Sequence, residues 1–331
     1  MLILVGYSME WCKNVIKSVI FLGILGIIIY GLSFILVPKD NTYEAGMPYV
    51  RPNGILAEPK NTIDVLIIGD SESYTSVSPM EMWDQYGFTS YVLGTNAQKI
   101  FTSYNFLIDA LENQKPKVVI LETNTFFRNL VDAQKIISFF ERHVPFIKYH
   151  DRWKDLNLND LGGDINYTGI SEMKGYYYIN YAVPMKESKP SYMDRKKKTE
   201  PIPKDEIYYI KKIYKLCKEN NIELMFYSAP NYKNWWMAKH DLVSELAEEL
   251  DINYLDTNLI PEIDIDWKTD TKDAGDHVNY KGALKVSTYL GKYLAETYNL
   301  PDHRGDSNYD LWNSSLEDYR KIIADRSIYK Y

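Results

Sequence analysis

Two spacing rules alternate along this chain. Between residues 61 and 298, short runs that are apolar at nearly every position give way to longer stretches in which apolar residues recur every three or four positions. The runs "TIDVLIIG" (62–69), "TSYVLG" (89–94), "KPKVVILET" (115–123), "IELMFYSAP" (222–230) and "INYLDT" (252–257) predict strands. The periodic stretches "SPMEMWDQYG", "TSYNFLIDALENQ", "DEIYYIKKIYKLCKENN", "KHDLVSELAEELD" and "NYKGALKVSTYLGKYLAETY" predict helices. Strands apolar on both faces, alternating with helices, require a parallel sheet covered on both sides. The expectation is a doubly wound α/β domain over residues 61–300.

Four segments depart from that rhythm. Residues 18–37, "SVIFLGILGIIIYGLSFILV", hold no charge, and as a helix they span roughly 30 Å, the hydrocarbon thickness of a bilayer. Lys13 and Lys17 precede this run, which predicts a single transmembrane signal anchor with residues 1–17 cytoplasmic and everything beyond Pro38 outside. A cleaved signal peptide has a shorter apolar core and a small-residue cleavage site. Residues 38–60, rich in Pro, Gly and Asn, read as a linker, and residues 301–331 as a tail with a short helix. Residues 145–203, with "KGYYYINYA" and the basic "DRKKKTEPIP", form an insertion of the kind that serves as a lid or binding loop.

Composition changes the picture in three places. A net charge of −7 and a pI near 5.4 provide no attraction for phosphate backbones, so nucleic acid is not an expected partner. The 29 tyrosines suit grooves for polyhydroxylated ligands, each offering a ring face and a polar tip. Only two cysteines occur: Cys12 ahead of the anchor and Cys217 in a helical pattern. An exported chain without a disulfide framework fits a Gram-positive cell surface.

In doubly wound sheets ligands bind outside the carboxyl ends of the strands. Ser71 follows the first predicted strand in "GDSES"; Gly94-Thr95-Asn96 follows the second, and Glu122-Thr123-Asn124 the third. "DAGDHVNYKGA", with Asp273, Asp276 and His277, precedes the last helix. A serine hydroxyl becomes a nucleophile when a His takes its proton and a carboxylate fixes the imidazole tautomer. The tetrahedral intermediate then needs fixed donors. Ser71, His277 and Asp273 are the expected catalytic residues, with Asp276 as the alternate acid. Asp273 is favoured because a one-residue bulge brings it under the imidazole, whereas adjacent side chains diverge. The Ser71 N–H, Gly94 and Asn124 are the expected oxyanion donors. Gln98 and Arg128 lie near block ends as substrate-binding residues, and Glu72 fits the first turn of a helix. The chain lacks Cys/His ligand spacing and a phosphate-binding Gly-rich loop, so no metal, nucleotide or other cofactor is expected.

Gly69-Asp70-Ser71, Gly94, Asn124 and the C-terminal Asp/His segment, taken in order, resemble the four blocks of the SGNH (GDSL-type) hydrolases. The resemblance covers residues 61–148 and 204–297. It is closest to the membrane-anchored branch with DltD-like and alginate-acetylation-type proteins. It implies a flavodoxin-like (SGNH) doubly wound sheet behind one N-terminal transmembrane helix. It also implies a serine acyltransferase or esterase acting on O-acyl groups of a cell-surface glycan or polyol polymer, partnered by a membrane-bound O-acyltransferase. The chain departs from the pattern twice. The third block, usually Gly-x-Asn-Asp, reads Glu122-Thr123-Asn124-Thr125, and the fourth, commonly Asp-x-x-His, has Ala274 where its Asp belongs. These departures motivate the alternative of a catalytically inactive SGNH-like module that binds polymer or scaffolds a partner.

Overall fold

The computed structural model describes residues 2–186 and 192–325. In chain order the helices are α1 (Leu2–Leu36), α2 (Val50–Asn53), α3 (Ser71–Ser76), α4 (Pro79–Tyr86), α5 (Ile100–Leu111), α6 (Asp132–His143), α7 (Pro145–Tyr149), α8 (Lys204–Glu219), α9 (Met237–Leu250), α10 (Tyr280–Tyr298) and α11 (Asp310–Asp325). The strands are β1 (Val65–Gly69), β2 (Ser90–Gly94), β3 (Val118–Glu122), β4 (Glu223–Ser228) and β5 (Asn253–Asp256).

The chain forms two compact units. The larger holds residues 41–43, 47–131 and 167 onward, and within it lies a five-stranded parallel sheet of order β2-β1-β3-β4-β5. That order is the flavodoxin-like one, with the topological switch between β1 and β3. Strand residues alternate between two cores, as the two-residue period of a strand dictates. Leu66, Ile68, Val119, Leu121 and Phe226 pack with buried positions of α5, α8 and α9, whereas Val65, Ile67, Val118, Ile120 and Met225 pack with Val286, Leu290 and Leu294 of α10.

Segments expected as linker, insertion and tail contribute to this unit. Ile55 is buried, and Lys174 O accepts from Val92 N along the outer edge of β2. The tyrosine-rich segment therefore covers the sheet edge. Tyr176 and Tyr178 are buried in the core, so these two rings of the insertion pack the fold and offer no groove surface. From α11, Trp312 packs on Trp83, and Tyr319 Oη bonds Ser78 Oγ (2.9 Å) and donates to Glu81 Oε1 (2.9 Å).

The Lys174–Glu58 pair is fully buried at 2.7 Å, with Lys174 Nζ 4.7 Å from the centre of the Trp312 ring. Burial pushes the Glu58 carboxyl up, and the Lys174 charge partly offsets it. Removing one partner of such a pair strands the other, so Lys174→Met is expected to destabilise the fold by about 3–5 kcal/mol. Glu58→Leu in the same chain should recover most of that loss. Urea unfolding midpoints measure both effects, and a loss for Lys174→Met no larger than that of a surface substitution would contradict them.

The smaller unit holds residues 2–40, 44–46 and 132–166. It consists of α1, which is long and apolar enough to cross a membrane over Glu10–Leu36, together with α6, α7 and the turns that follow.

Candidate active site

β1 ends at Gly69, and the chain turns directly into α3. The turn is fixed by Asp70, whose Oδ1 accepts the Glu72 N–H (3.0 Å) as N-cap. This cap places Ser71 at the first helical position, half-buried at the carboxyl end of β1, beside the β1/β3 switch point. Two glycines make the close approach feasible. A Cβ on Gly69 would lie 2.4 Å from Glu122 Cβ, and one on Gly94 would lie 2.9 Å from Ser73 Oγ and 3.0 Å from Tyr74 Cδ1. Gly94 therefore lets α3 settle against the end of β2.

His277 reaches Ser71 from the segment between β5 and α10. Its Nε2 lies 2.7 Å from Ser71 Oγ, and its Nδ1 lies 2.6 Å from Asp273 Oδ2. Asp273 Oδ1 also accepts the backbone N–H groups of His277 (2.7 Å) and Asp276 (3.2 Å). The loop thus wraps around the carboxylate, and Ala274 and Gly275 take positive φ within the wrap. Burial pushes the Asp273 carboxyl up, but the hydrogen bonds and charge of His277 outweigh it and hold Asp273 below the ordinary carboxylate value. Asp276 Oδ2 is 3.9 Å from His277 Nδ1, and its Oδ1 accepts from Asn234 Nδ2 (2.6 Å) and Asn231 Nδ2 (3.3 Å). The acid in hydrogen-bond contact with the imidazole is Asp273, four residues away, and not the adjacent Asp276.

The other expected residues fall into different places. Asn124 donates from Nδ2 to Asp70 Oδ2 (3.1 Å), which leaves its second amide hydrogen. The Ser71 N–H has no hydrogen-bond partner among the described residues. Gly94 ends β2 in register with Gly69 at the end of β1. Arg128, the other expected substrate-binding residue, turns its Nε (2.8 Å) and Nη2 to Asp70 Oδ2, and its side chain stays 31% exposed. Its charge balances the buried Asp70. Gln98 is a correction: it is 2% exposed, its Oε1 accepts from Thr95 N and Oγ1, and its Nε2 donates to Leu93 O and Ser103 Oγ. It closes the turn after β2.

Several site residues escaped the sequence reading. Glu72 is buried, with Oε1 3.7 Å from His277 Nε2 and 2.5 Å from the donor Asn231 Nδ2. Burial first, then the charges of Asp70, Glu122 and Asp276, push the Glu72 carboxyl well up, which favours its neutral form beside the imidazole. Asn231 follows β4 in "SAPN", and extending the strand-end rule to that strand would have found it. Lys239, pushed down to about 8 by burial, donates to Asn234 O (2.9 Å), behind the asparagine that holds Asp276. Glu72, Asp276 and His277 bring potential metal-ligand atoms within 4.8 Å of one another. Both His277 nitrogens already serve Asp273 and Ser71, so a cation bound there would displace one of those hydrogen bonds.

Glu122 fills the place of the first Gly of the third block. Its Oε1 accepts the Asn124 N–H (2.6 Å), and its Oε2 is buried without a partner among the described residues. Burial and then the Asp70 charge push it well above 4.5. The folded state therefore holds a proton that the unfolded chain releases above that value. The stabilisation is fully present below pH 4.5 and is lost as pH rises toward the folded-state value. Glu122→Gln is expected to flatten the fall of stability with pH above 4.5, a fall of up to about 1.4 kcal/mol per pH unit while one such group differs in protonation. Denaturant melts at a series of pH values check this, and parallel profiles for the two proteins would contradict it.

No protein-family model matches the sequence, and no curated protein matches it either. Among solved structures, the chain is similar to a putative acylhydrolase from Bacteroides fragilis NCTC 9343, with 13% identity, coverage of 76% of this chain and 96% of that one, and a TM-score of 0.38. It is similar to a putative lipolytic protein of the G-D-S-L family from Desulfitobacterium hafniense DCB-2, at 15% identity, 70% and 99% coverage, and a TM-score of 0.38. A third is the psychrotrophic esterase EstA from Pseudoalteromonas sp., at 10% identity, 71% and 98% coverage, and a TM-score of 0.39. Similarity at this level carries no weight beside the chain's own features. The strand order establishes the α/β fold, and the distances around His277 define the site.

Proposed function

We propose that this chain is a membrane-anchored SGNH-type serine esterase or O-acyltransferase that acts outside the cytoplasm on O-acyl groups of a cell-surface glycan or polyol polymer. The observation that carries the reading is the continuous hydrogen-bond chain Ser71 Oγ–His277–Asp273, at 2.7 and 2.6 Å. It favours an enzyme over a polymer-binding module, because a binding surface has no need of an imidazole held between a serine and a carboxylate.

The chemistry follows from the geometry. Asp273 accepts from Nδ1, so Nδ1 carries the hydrogen and Nε2 is the base facing Ser71. Ser71 Oγ attacks the acyl carbonyl as its proton passes to Nε2. The Ser71 N–H and the second Asn124 amide hydrogen receive the oxyanion, with Gly94 as the third donor of the proposal. Collapse breaks the ester bond, and His277 returns the proton to the departing alkoxide. Water or a polymer hydroxyl then gives its proton to His277 and takes the acyl group from Ser71. The apolar α1 and the resemblance to membrane-anchored relatives support transfer, with a membrane-bound O-acyltransferase as the donor partner.

Acyl analysis of surface polymers tests the assignment. Cells carrying Ser71→Ala are expected to show altered ester-linked acyl content at unchanged protein level. A depleted polymer indicates transfer, an over-acylated one hydrolysis, and an unchanged one contradicts the proposal.

A further inference from the structure

In the smaller unit, α6 is amphipathic in an inverted sense. At 100° per residue, Ile136, Ile137, Phe139 and Phe140 share one broad face, and Gln134, Lys135, Ser138, Glu141 and Arg142 share the other. A helix on a water-soluble domain turns its apolar face inward. Here the buried residue of α6 is Ser138, on the polar side, whereas Ile136, Ile137, Phe139 and Phe140 are 59, 52, 59 and 46% exposed. Trp153, Leu158 and Leu161, in the turns after α7, are exposed as well. Water alone does not stabilise such a surface at this size.

Hydrogen bonds within the unit locate these elements relative to α1. Phe146 N, at the start of α7, donates to Ser33 Oγ (3.0 Å), and α7 packs along α1. Arg152, ion-paired with Asp160 at 2.8 Å, donates to Leu36 O (2.6 Å) at the carboxyl end of α1, where a cation complements the helix dipole. Asn166 N donates to Lys39 O (2.8 Å). Ser33 lies four residues before the end of the apolar run at Val37, about 6 Å below it along the helix. Interfacial amphipathic helices bury their apolar face about 5–10 Å into the boundary between headgroups and acyl chains.

We infer that the outward face of α6, with Ile136, Ile137, Phe139 and Phe140, lies in the outer lipid interface beside the exit of α1 and serves as a second membrane contact. The inference rests on α1 spanning the bilayer, and the occupant is lipid because α6 packs on α7, which is bonded to α1 at Ser33 within the apolar run, where Leu32 and Phe34 of α1 are themselves exposed. Over the whole of α6, Lys135 and Arg142 balance Asp132 and Glu141, so the contact does not require anionic lipid.

The test uses the full chain with Cys12→Ser; Cys217 is buried and left in place. A nitroxide is attached at Ile137→Cys or Phe140→Cys, with Ile24→Cys in α1 and Tyr208→Cys on α8 as references, in phosphatidylcholine vesicles. Collision with oxygen relative to a water-soluble nickel chelate is expected to be several-fold higher at 137 and 140 than at 208. Depth should read about 5–10 Å below the phosphates. Nickel-favoured collisions at 137 and 140 with oxygen-favoured collisions at 24 would overturn the inference and leave the anchor intact. Low collision with both reagents at 137 and 140 would mark a protein-covered face and also overturn it. Nickel-favoured collisions at 24 would remove the anchor, and the inference with it.

Discussion

Full-length protein carrying His277→Ala is expected to lose esterase kcat/KM by about 10⁴–10⁶-fold, measured with a soluble acyl ester. The size of the effect follows from the number of steps that pass through one ring. Nε2, 2.7 Å from Ser71 Oγ, takes the proton in acylation, returns it to the leaving group, and repeats both transfers in deacylation. Alanine leaves Ser71 with its ordinary, weakly nucleophilic hydroxyl and removes the group that orders Asp273. The remaining rate would come from binding and the oxyanion donors alone. Because the residues act as a unit, Ser71→Ala should cost about as much, and the double variant no more than either. The fold should be retained, since both side chains sit in a partly open site and neither belongs to the two cores. An equal loss of folded protein would assign His277 a structural role instead.

Asp273→Asn carries the second-largest expected effect, a fall in kcat of about 10⁴-fold with little change in stability. The amide oxygen can still accept the His277 and Asp276 N–H groups as Oδ1 does now, so the loop keeps its shape. The amide nitrogen, however, would face Nδ1 and impose the tautomer with hydrogen on Nε2, which cannot take the Ser71 proton. Asp276→Asn is the contrasting variant. Its carboxylate is 3.9 Å from Nδ1 and is held by Asn231 and Asn234, so kcat should stay near that of the parent. Steady-state kinetics on the two variants decide between the acids, and the reverse ranking would assign the role to Asp276.

The sheet and the chemistry at its strand ends were legible because both are local. β1 to β5 lie within the apolar runs, and the rule that ligands gather at strand carboxyl ends led to Ser71, Asn124 and the His277 loop. The choice between Asp273 and Asp276 needed the loop's path, in which two backbone N–H groups converge on Asp273 Oδ1. Gln98 was misread for a related reason. A polar residue near a site reads the same in sequence whether it faces substrate or is consumed by neighbours, as Gln98 is by Thr95, Leu93 and Ser103. Glu72 looked like an ordinary first-turn acid, and its burial depends on Asn231, 159 residues away. The helical period of α6 can be read from residues 132–143, but which face it buries cannot, because that depends on α1 and α7.

Reaction with a fluorophosphonate tests the central claim most directly, since stable phosphonylation requires a serine activated by its own base. The full-length chain is expected to take up one phosphonyl group, mapped by peptide mass spectrometry to Ser71, and both Ser71→Ala and His277→Ala should remain unmodified. Absence of an adduct on the folded parent protein, or an adduct on a serine other than Ser71, would contradict the account.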